Sequence, residues 1–278
     1  MFKSIKKYIH TVSHNPSYWN LLYFLSSVFA VNSFKERLLK IRAERNFFKK
    51  VGYHTTVARG PFKGMKYPRL KSSYSEMAPK LLGSYEAELF GPLEEITRKE
   101  YKQVIDIGCA EGYYAIGLAL KIPTSTVYAY DINPNALKMC KEMAIVNNVL
   151  NRVHLGERCT NETLKNFKFE NTSLIVCDCE GYELELFTNE NIKNLNRCDF
   201  LIELHDILGL PVKERLLPVF RDTHNIQLIS SEVRDPNLYP ELEGMEEIEK
   251  KIVLSECRDG LFGSRHMEWA YITSKNIA

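Results

Sequence analysis

The chain has no run of about 20 apolar residues, the length a helix needs to cross a bilayer, anywhere in its 278 residues. Its seven cysteines are an odd number and include no C-x-x-C pair. A disulfide framework or a structural zinc site is therefore not expected, and reduced thiols in a cytoplasmic protein fit better. Cys177 and Cys179 stand one residue apart on an expected strand, and their side chains are expected on opposite faces. The start of the chain has no clean apolar run followed by a small-residue cleavage site, so no signal peptide is expected. Internal repeats and low-complexity tracts are missing too.

A basic excess is missing from most of the molecule. The formal net charge is +2, but residues 1–50 hold ten Lys or Arg against two Glu, a local +8 that leaves −6 for the remainder. A basic nucleic-acid footprint on the larger part is not supported. The apolar, aromatic stretch Tyr18–Val31 lies between Lys3, Lys6 and Lys7 on one side and a basic cluster from Lys35 to Lys50 on the other. That pattern suits either a helix lying on an anionic membrane surface, here the inner face, or one packed on the rest of the protein. The chain is expected to divide into a helical extension (1–50), a cap and lead-in helix (51–100), and a main domain (101–278).

What is present is most concentrated at VIDIGCAEGYYAIGLAL, Val104 to Leu120. Val104, Ile105 and Ile107 read as a parallel strand covered on both faces. Gly108 permits a sharp turn with room for a ligand against the backbone, and Gly112 opens a helix. The next expected strand, TVYAY, ends in Asp131, placed to accept hydrogen bonds from two ribose hydroxyls. Ligands of open α/β sheets sit beyond the carboxyl ends of the strands, where these groups lie. A dinucleotide needs G-x-G-x-x-G, whereas the spacing here is G-x-x-x-G with Cys109 and Glu111 inside the turn. A carboxylate beside a pyrophosphate repels it, but beside a sulfonium or an α-amino group it attracts. S-adenosylmethionine is the better match.

Downstream, strands and helices alternate. Asn133 and Pro134 start a helix to about Asn147. Strands are expected at 152–155, 173–178, 200–204, 226–229 and 268–273, with a helix near 212–221 and a polar, irregular stretch from 232 to 266. The fold class is α/β, a doubly wound Rossmann-like sheet of seven strands. Ser173–Phe187, SLIVCDCEGYELELF, brings Asp178 to a strand end with Glu180 and Gly181 in the following turn. The fifth strand ends in Glu203, His205 and Asp206. Before the first strand, 75–99 reads as a helix-like lead-in, and its Glu86 is expected within reach of a ligand amino group.

VIDIGCAEGYY, YDINPNAL, CDCEGYELELF and IELHD together resemble the class I S-adenosylmethionine-dependent methyltransferases. The D-x-E-G-Y-E stretch is similar to the FkbM-like family within them. The similarity runs from about Gly83 to Asp206, and the closing MEWAYIT is consistent with that fold's antiparallel last strand. The glycine turn departs from the G-A-N-x-G common in the family. The resemblance implies methylation of a sugar, glycan or glycolipid-type hydroxyl. It also implies a donor site at Tyr85, Glu86, Asp106, Gly108, Cys109, Glu111, Gly112, Tyr113, Asp131, Ile132, Asn133 and Asp178.

Methyl transfer to a hydroxyl needs a base, and His205 is the expected one, with Asp178 orienting the acceptor or the donor. Glu180, Glu203, Asp206 and His266 are further acceptor or metal candidates. Magnesium held by Asp178, Glu203 and Asp206 is the rival account, though not favoured, since these positions do not all point inward. Methylation of protein or RNA, and a non-catalytic module that binds S-adenosylmethionine, stay as alternatives.

Overall fold

A computed structural model describes residues 32–73, 75–170, 172–206, 211–256 and 267–276. Tyr18–Val31 and His266 lie outside the described residues. Among the described residues no helix is long and apolar enough to cross a membrane. The chain divides into two compact units, one of residues 1–54 with 234–255 and one of residues 55–233 with 256–278.

Helix α1 (Asn32–Lys50) belongs to the smaller unit. In the larger unit, the turn-rich stretch after His54 closes through an antiparallel bridge between Thr56 and Lys66. The expected lead-in helix is broken into α2 (Met77–Leu82), a 3-10 turn and α3 (Phe90–Arg98). The break is made by Gly83, whose φ is 80°. A Cβ there would sit 2.2 Å from the Arg59 carbonyl oxygen, so only glycine fits.

The remaining elements alternate: β1 (Gln103–Ile107), α4 (Tyr113–Lys121), β2 (Thr126–Tyr130), α5 (Pro134–Val146), β3 (Val153–Gly156), α6 (Asn161–Asn166), β4 (Ser173–Cys177), α7 (Glu183–Leu186), β5 (Cys198–Leu204), α8 (Val212–Phe220) and β6 (His224–Ser230). Helix α9 (Glu247–Leu254) and β7 (Glu268–Ser274) complete the order. The 232–266 stretch was expected to be irregular, but it contains α9. Ile252, Val253 and Leu254 give that helix a buried stripe, short enough to be hidden among its charges. Within the smaller unit, Arg42 of α1 pairs with Glu246 and Glu249 at 3.0 Å each. Asn46 donates to Glu249 at 2.8 Å.

The seven strands form one sheet in the order β3-β2-β1-β4-β5-β7-β6. All neighbours are parallel except β7, which runs antiparallel to both β5 and β6. Strands β1, β4 and β5 are buried along their whole length, as expected for strands covered on both faces. From β1 the chain winds outward to β3 and then returns to β4 on the other side of β1. That reversal opens a crevice beyond the carboxyl ends of β1 and β4. Beneath it, Ile105, Ile175, Phe200, Phe220 and Ile272 belong to one apolar cluster. Burial of such side chains contributes about 25 cal/mol per Å² of apolar surface, which fixes the strand ends above.

Candidate active site

The crevice holds a cavity of about 710 Å³ lined by the turn after β1, the end of β2, the turn after β4 and the end of β5. Gly108 has φ 85°, and a Cβ on it would lie 1.7 Å from the Asp178 carbonyl oxygen. The two turns are therefore pressed together backbone to backbone. Asp131, at the end of β2, accepts from the Ala110 amide at 2.9 Å through Oδ2 and from the Asn133 amide at 2.8 Å through Oδ1. These bonds fix both oxygens at the cavity wall, and each keeps a lone pair for a diol. Ile132 beside it is 74 % exposed and lines the same cavity.

Asp106 is fully enclosed below this rim, and its Oδ2 has no hydrogen-bond partner among the described residues. Burial pushes its carboxyl up to about 8; an amide hydrogen bond from Ala115 pulls the other way, and the charges of Asp178 and Asp131 push it further up. Such a group is mostly protonated at pH 7 and gains most from ionising when a cation meets it. Tyr85 and Tyr113 also line the cavity and pack edge to face at 5.0 Å.

Other expected donor residues face elsewhere. Glu111 does not line the cavity; it is buried in an ion pair with Lys80 and accepts from Ser72 Oγ and the Ser73 amide. Its carboxylate therefore does not stand beside a sulfonium, contrary to expectation. The left-handed Ala110, at φ 47°, and Gly112 turn that side chain into the protein. Glu86 is also off the cavity wall, its carboxylate taking the Tyr114 hydroxyl and its amide donating to Glu256 at 2.8 Å. Gly112, with φ 97°, packs on α5, where a Cβ would meet Cys140 Sγ at 2.8 Å. Asn133 caps α5 by accepting from the Asn135 amide. Cys109 does line the cavity.

At the other end of the crevice, His205 is 2 % exposed and ringed by carboxylates. Its Nδ1 lies 3.0 Å from Glu183 Oε1. Its Nε2 lies 3.4 Å from Asp178 Oδ1, 3.4 Å from Glu203 Oε2 and 3.6 Å from Glu180 Oε2. Burial alone would lower the basicity of the imidazole. The carboxylates of Asp178, Glu183 and Glu203 outweigh it and hold the ring well above its ordinary range. Asp206 is not in this group; its Oδ1 accepts from the Lys213 amide at 2.9 Å at the start of α8. The rival magnesium set of Asp178, Glu203 and Asp206, which was not favoured, is thus not brought together. Asp178, Glu203 and His205 are, with ligand atoms within 4.8 Å of one another.

Two residues were missed in the sequence. Glu183, the last residue of D-x-E-G-Y-E, orients His205, and that motif was its only signal. Lys80 stands 4.8 Å from the Tyr85 ring centroid and 5.3 Å from that of Tyr113, and its signal was none. The expectation that Cys177 and Cys179 face apart is also overturned, since their Sγ atoms are 3.4 Å apart. Residues two apart on a strand share a face, and the chain keeps that direction for Cys179 just past the end of β4.

Residues 98–192 match the family model described as a methyltransferase domain. Ribosomal protein L11 methyltransferase of Acinetobacter baylyi is 46 % identical over 55 residues, 20 % of this chain and 18 % of its own. Release factor glutamine methyltransferase of Deinococcus radiodurans is 40 % identical over 55 residues, 20 % of each. The chain thus spans about a fifth of the length of the curated relatives it matches. Among solved structures, an rRNA methylase from Streptococcus thermophilus superposes with a TM-score of 0.45 at 13 % identity, covering 67 % of this chain and 96 % of that one.

A methyltransferase domain implies S-adenosylmethionine as the methyl donor. The residues present fit that group: a backbone cradle at Gly108, a fixed carboxylate at the end of β2, an exposed apolar side chain beside it, and a buried carboxylate oxygen in want of a cation.

Proposed function

We propose that the protein is an S-adenosylmethionine-dependent O-methyltransferase acting on a hydroxyl of a sugar, glycan or glycolipid-type intermediate. The observation that carries the reading is the pairing of Glu183 with His205 Nδ1 in a histidine that lines the same cavity as the donor turn. A carboxylate that fixes one imidazole nitrogen so that the other can move a proton is the arrangement general-base chemistry requires.

When bound, S-adenosylmethionine supplies an electrophilic methyl group on a positively charged sulfur. Asp131 would hold the ribose hydroxyls, Ile132 the flat base, and Asp106 the amino group. Alignment of acceptor and methyl supplies much of the rate, and the enclosing aromatic wall of Tyr85 and Tyr113 excludes water. In its deprotonated form, which the raised basicity makes the minor one at neutral pH, His205 takes the hydroxyl proton on Nε2, and Asp178 and Glu203 stabilise the resulting imidazolium.

The same trio has a nitrogen ligand at its centre, and magnesium favours an all-oxygen set. The donor chemistry therefore favours proton transfer over magnesium. The lining also bears on the acceptor. Among the residues that line the cavity, the carboxylates of Asp131, Glu157, Asp178, Glu180, Glu203 and Glu256 outnumber the cations Lys80, Arg158 and His205, an acidic balance that repels a phosphate backbone.

The test is calorimetric titration with S-adenosylmethionine, followed by release of S-adenosylhomocysteine in the presence of sugar, protein and RNA acceptors. Donor binding with turnover on a sugar hydroxyl is expected. Absent donor binding refutes the methyltransferase reading. Turnover on protein or RNA alone refutes the acceptor.

A further inference from the structure

We propose that Cys177, Cys179 and Glu183 form a binding site for a thiophilic divalent cation of the zinc class, built into the wall of the cavity and sharing Glu183 with His205. The two Sγ atoms are 3.4 Å apart, and Cys179 Sγ is 3.5 Å from Glu183 Oε1. All three ligand atoms lie within 4.8 Å of one another. Tetrahedral zinc with Zn–S bonds of about 2.3 Å sets its sulfurs about 3.8 Å apart, so the pair needs only a small adjustment.

A second observation is independent of the thiols. Glu183 is completely buried, and its Oε2 has no hydrogen-bond partner among the described residues. Such an oxygen carries the full cost of desolvation unless something positive meets it. Its carboxylate is held in place by the Cys179 amide, which donates to Oε1 at 3.1 Å. Access exists too, because Cys179 lines the cavity.

Two sulfurs select a soft ion over magnesium or calcium. Binding replaces two S–H bonds by two metal–sulfur bonds and releases two protons, with no change in the oxidation state of the ion. Three protein ligands leave one coordination position for water. The ion draws on the carboxylate that orients His205, so its occupancy lowers methyl transfer. That coupling rests on the proposed function; ion binding itself does not.

The full-length protein, stripped with a chelator, is titrated with cobalt(II) and the near-ultraviolet spectrum recorded. One equivalent should produce thiolate-to-cobalt charge-transfer absorption that zinc displaces and magnesium does not. Cys179→Ser should lose the band, while Asp178→Asn should keep it. Zinc should also protect Cys179, which lines the cavity, from iodoacetamide in the unmutated protein, a readout that needs no variant to fold. A missing band in the unmutated protein or a band retained in Cys179→Ser overturns the proposal; cobalt bound with no thiolate band, and lost in Asp178→Asn, places the ion among Asp178, Glu203 and His205 instead. Donor titration of the same preparation keeps the two readings separate: a cobalt–thiolate band with no S-adenosylmethionine binding refutes the methyltransferase and leaves the ion site standing.

Discussion

Consider the protein titrated with S-adenosylmethionine at pH 6 and again at pH 7, first unmutated and then as Asp106→Asn. Asp106 has its carboxyl raised to about 8 by burial and by the neighbouring charges of Asp178 and Asp131. At pH 7 the free protein therefore carries this group about nine-tenths protonated, and at pH 6 about 99 %. If the donor's ammonium pairs with the ionised form, binding must first remove that proton. Affinity should then rise about tenfold from pH 6 to pH 7, with close to one proton released per donor bound. His205 does not compete, because its surroundings keep it charged throughout this interval. Calorimetry in two buffers of different ionisation enthalpy measures the released proton directly. Asp106→Asn should bind with no slope. Equal affinity at pH 6 and pH 7, or a slope that survives in Asp106→Asn, refutes the assignment of Asp106 to the ammonium.

The free protein should show the matching stability effect. A carboxyl raised above its unfolded value is tolerated at low pH and costs most once pH exceeds its folded value, so Asp106→Asn should raise Tm more at pH 9 than at pH 5. Because His205 must lose its proton to act as a base, kcat should climb with pH through and beyond neutrality; Glu183→Gln should depress kcat by about 10²- to 10⁴-fold and leave donor affinity nearly unchanged. A flat pH profile removes His205 as the base. Gly108→Ala drives a Cβ into the Asp178 carbonyl oxygen in a left-handed backbone. It should cost about 1–3 kcal/mol from strain alone and abolish donor binding, as scanning calorimetry and donor titration would show. Lys80→Met leaves the Glu111 carboxylate buried without its cation and should cost roughly 3–5 kcal/mol in urea unfolding. Lys80→Met combined with Glu111→Gln should recover part of that loss.

The glycine turn was legible in the sequence because its parts are consecutive. Apolar β1 residues, Gly108 and the acid ending β2 each announce a local conformation, and their order allows little besides a strand, a turn and a helix. Side-chain direction was not legible. Glu111 sits at the right spacing to meet a donor, but two left-handed residues around it, Ala110 and Gly112, aim it at Lys80, a residue thirty-one positions earlier. No periodicity rule reports a partner that distant. Within D-x-E-G-Y-E the sequence offered two glutamates and no way to choose between them. The choice is made by Gly181, with φ 98°, after which the first turn of α7 points Glu183 inward and leaves Glu180 at the rim. Asp206 looked like a third acid at the end of β5, but the chain has already turned there toward α8, and the side chain serves that helix.

The position of β7 bears on how the protein is made. β6 is complete by Ser230, but its sheet neighbour β7 begins only at Glu268, and β5 waits for the same strand. While a ribosome synthesises the intervening residues, the β5 edge and all of β6 carry backbone groups whose partner has not yet been built. The first five strands can assemble as a parallel sheet in order of synthesis, but closure is reserved for a strand inserted between two older ones. Pairing over such separations is slow and leaves strand edges open to other chains. The nascent protein is therefore most exposed to misassembly, and most in need of a chaperone, between the emergence of β6 and that of β7.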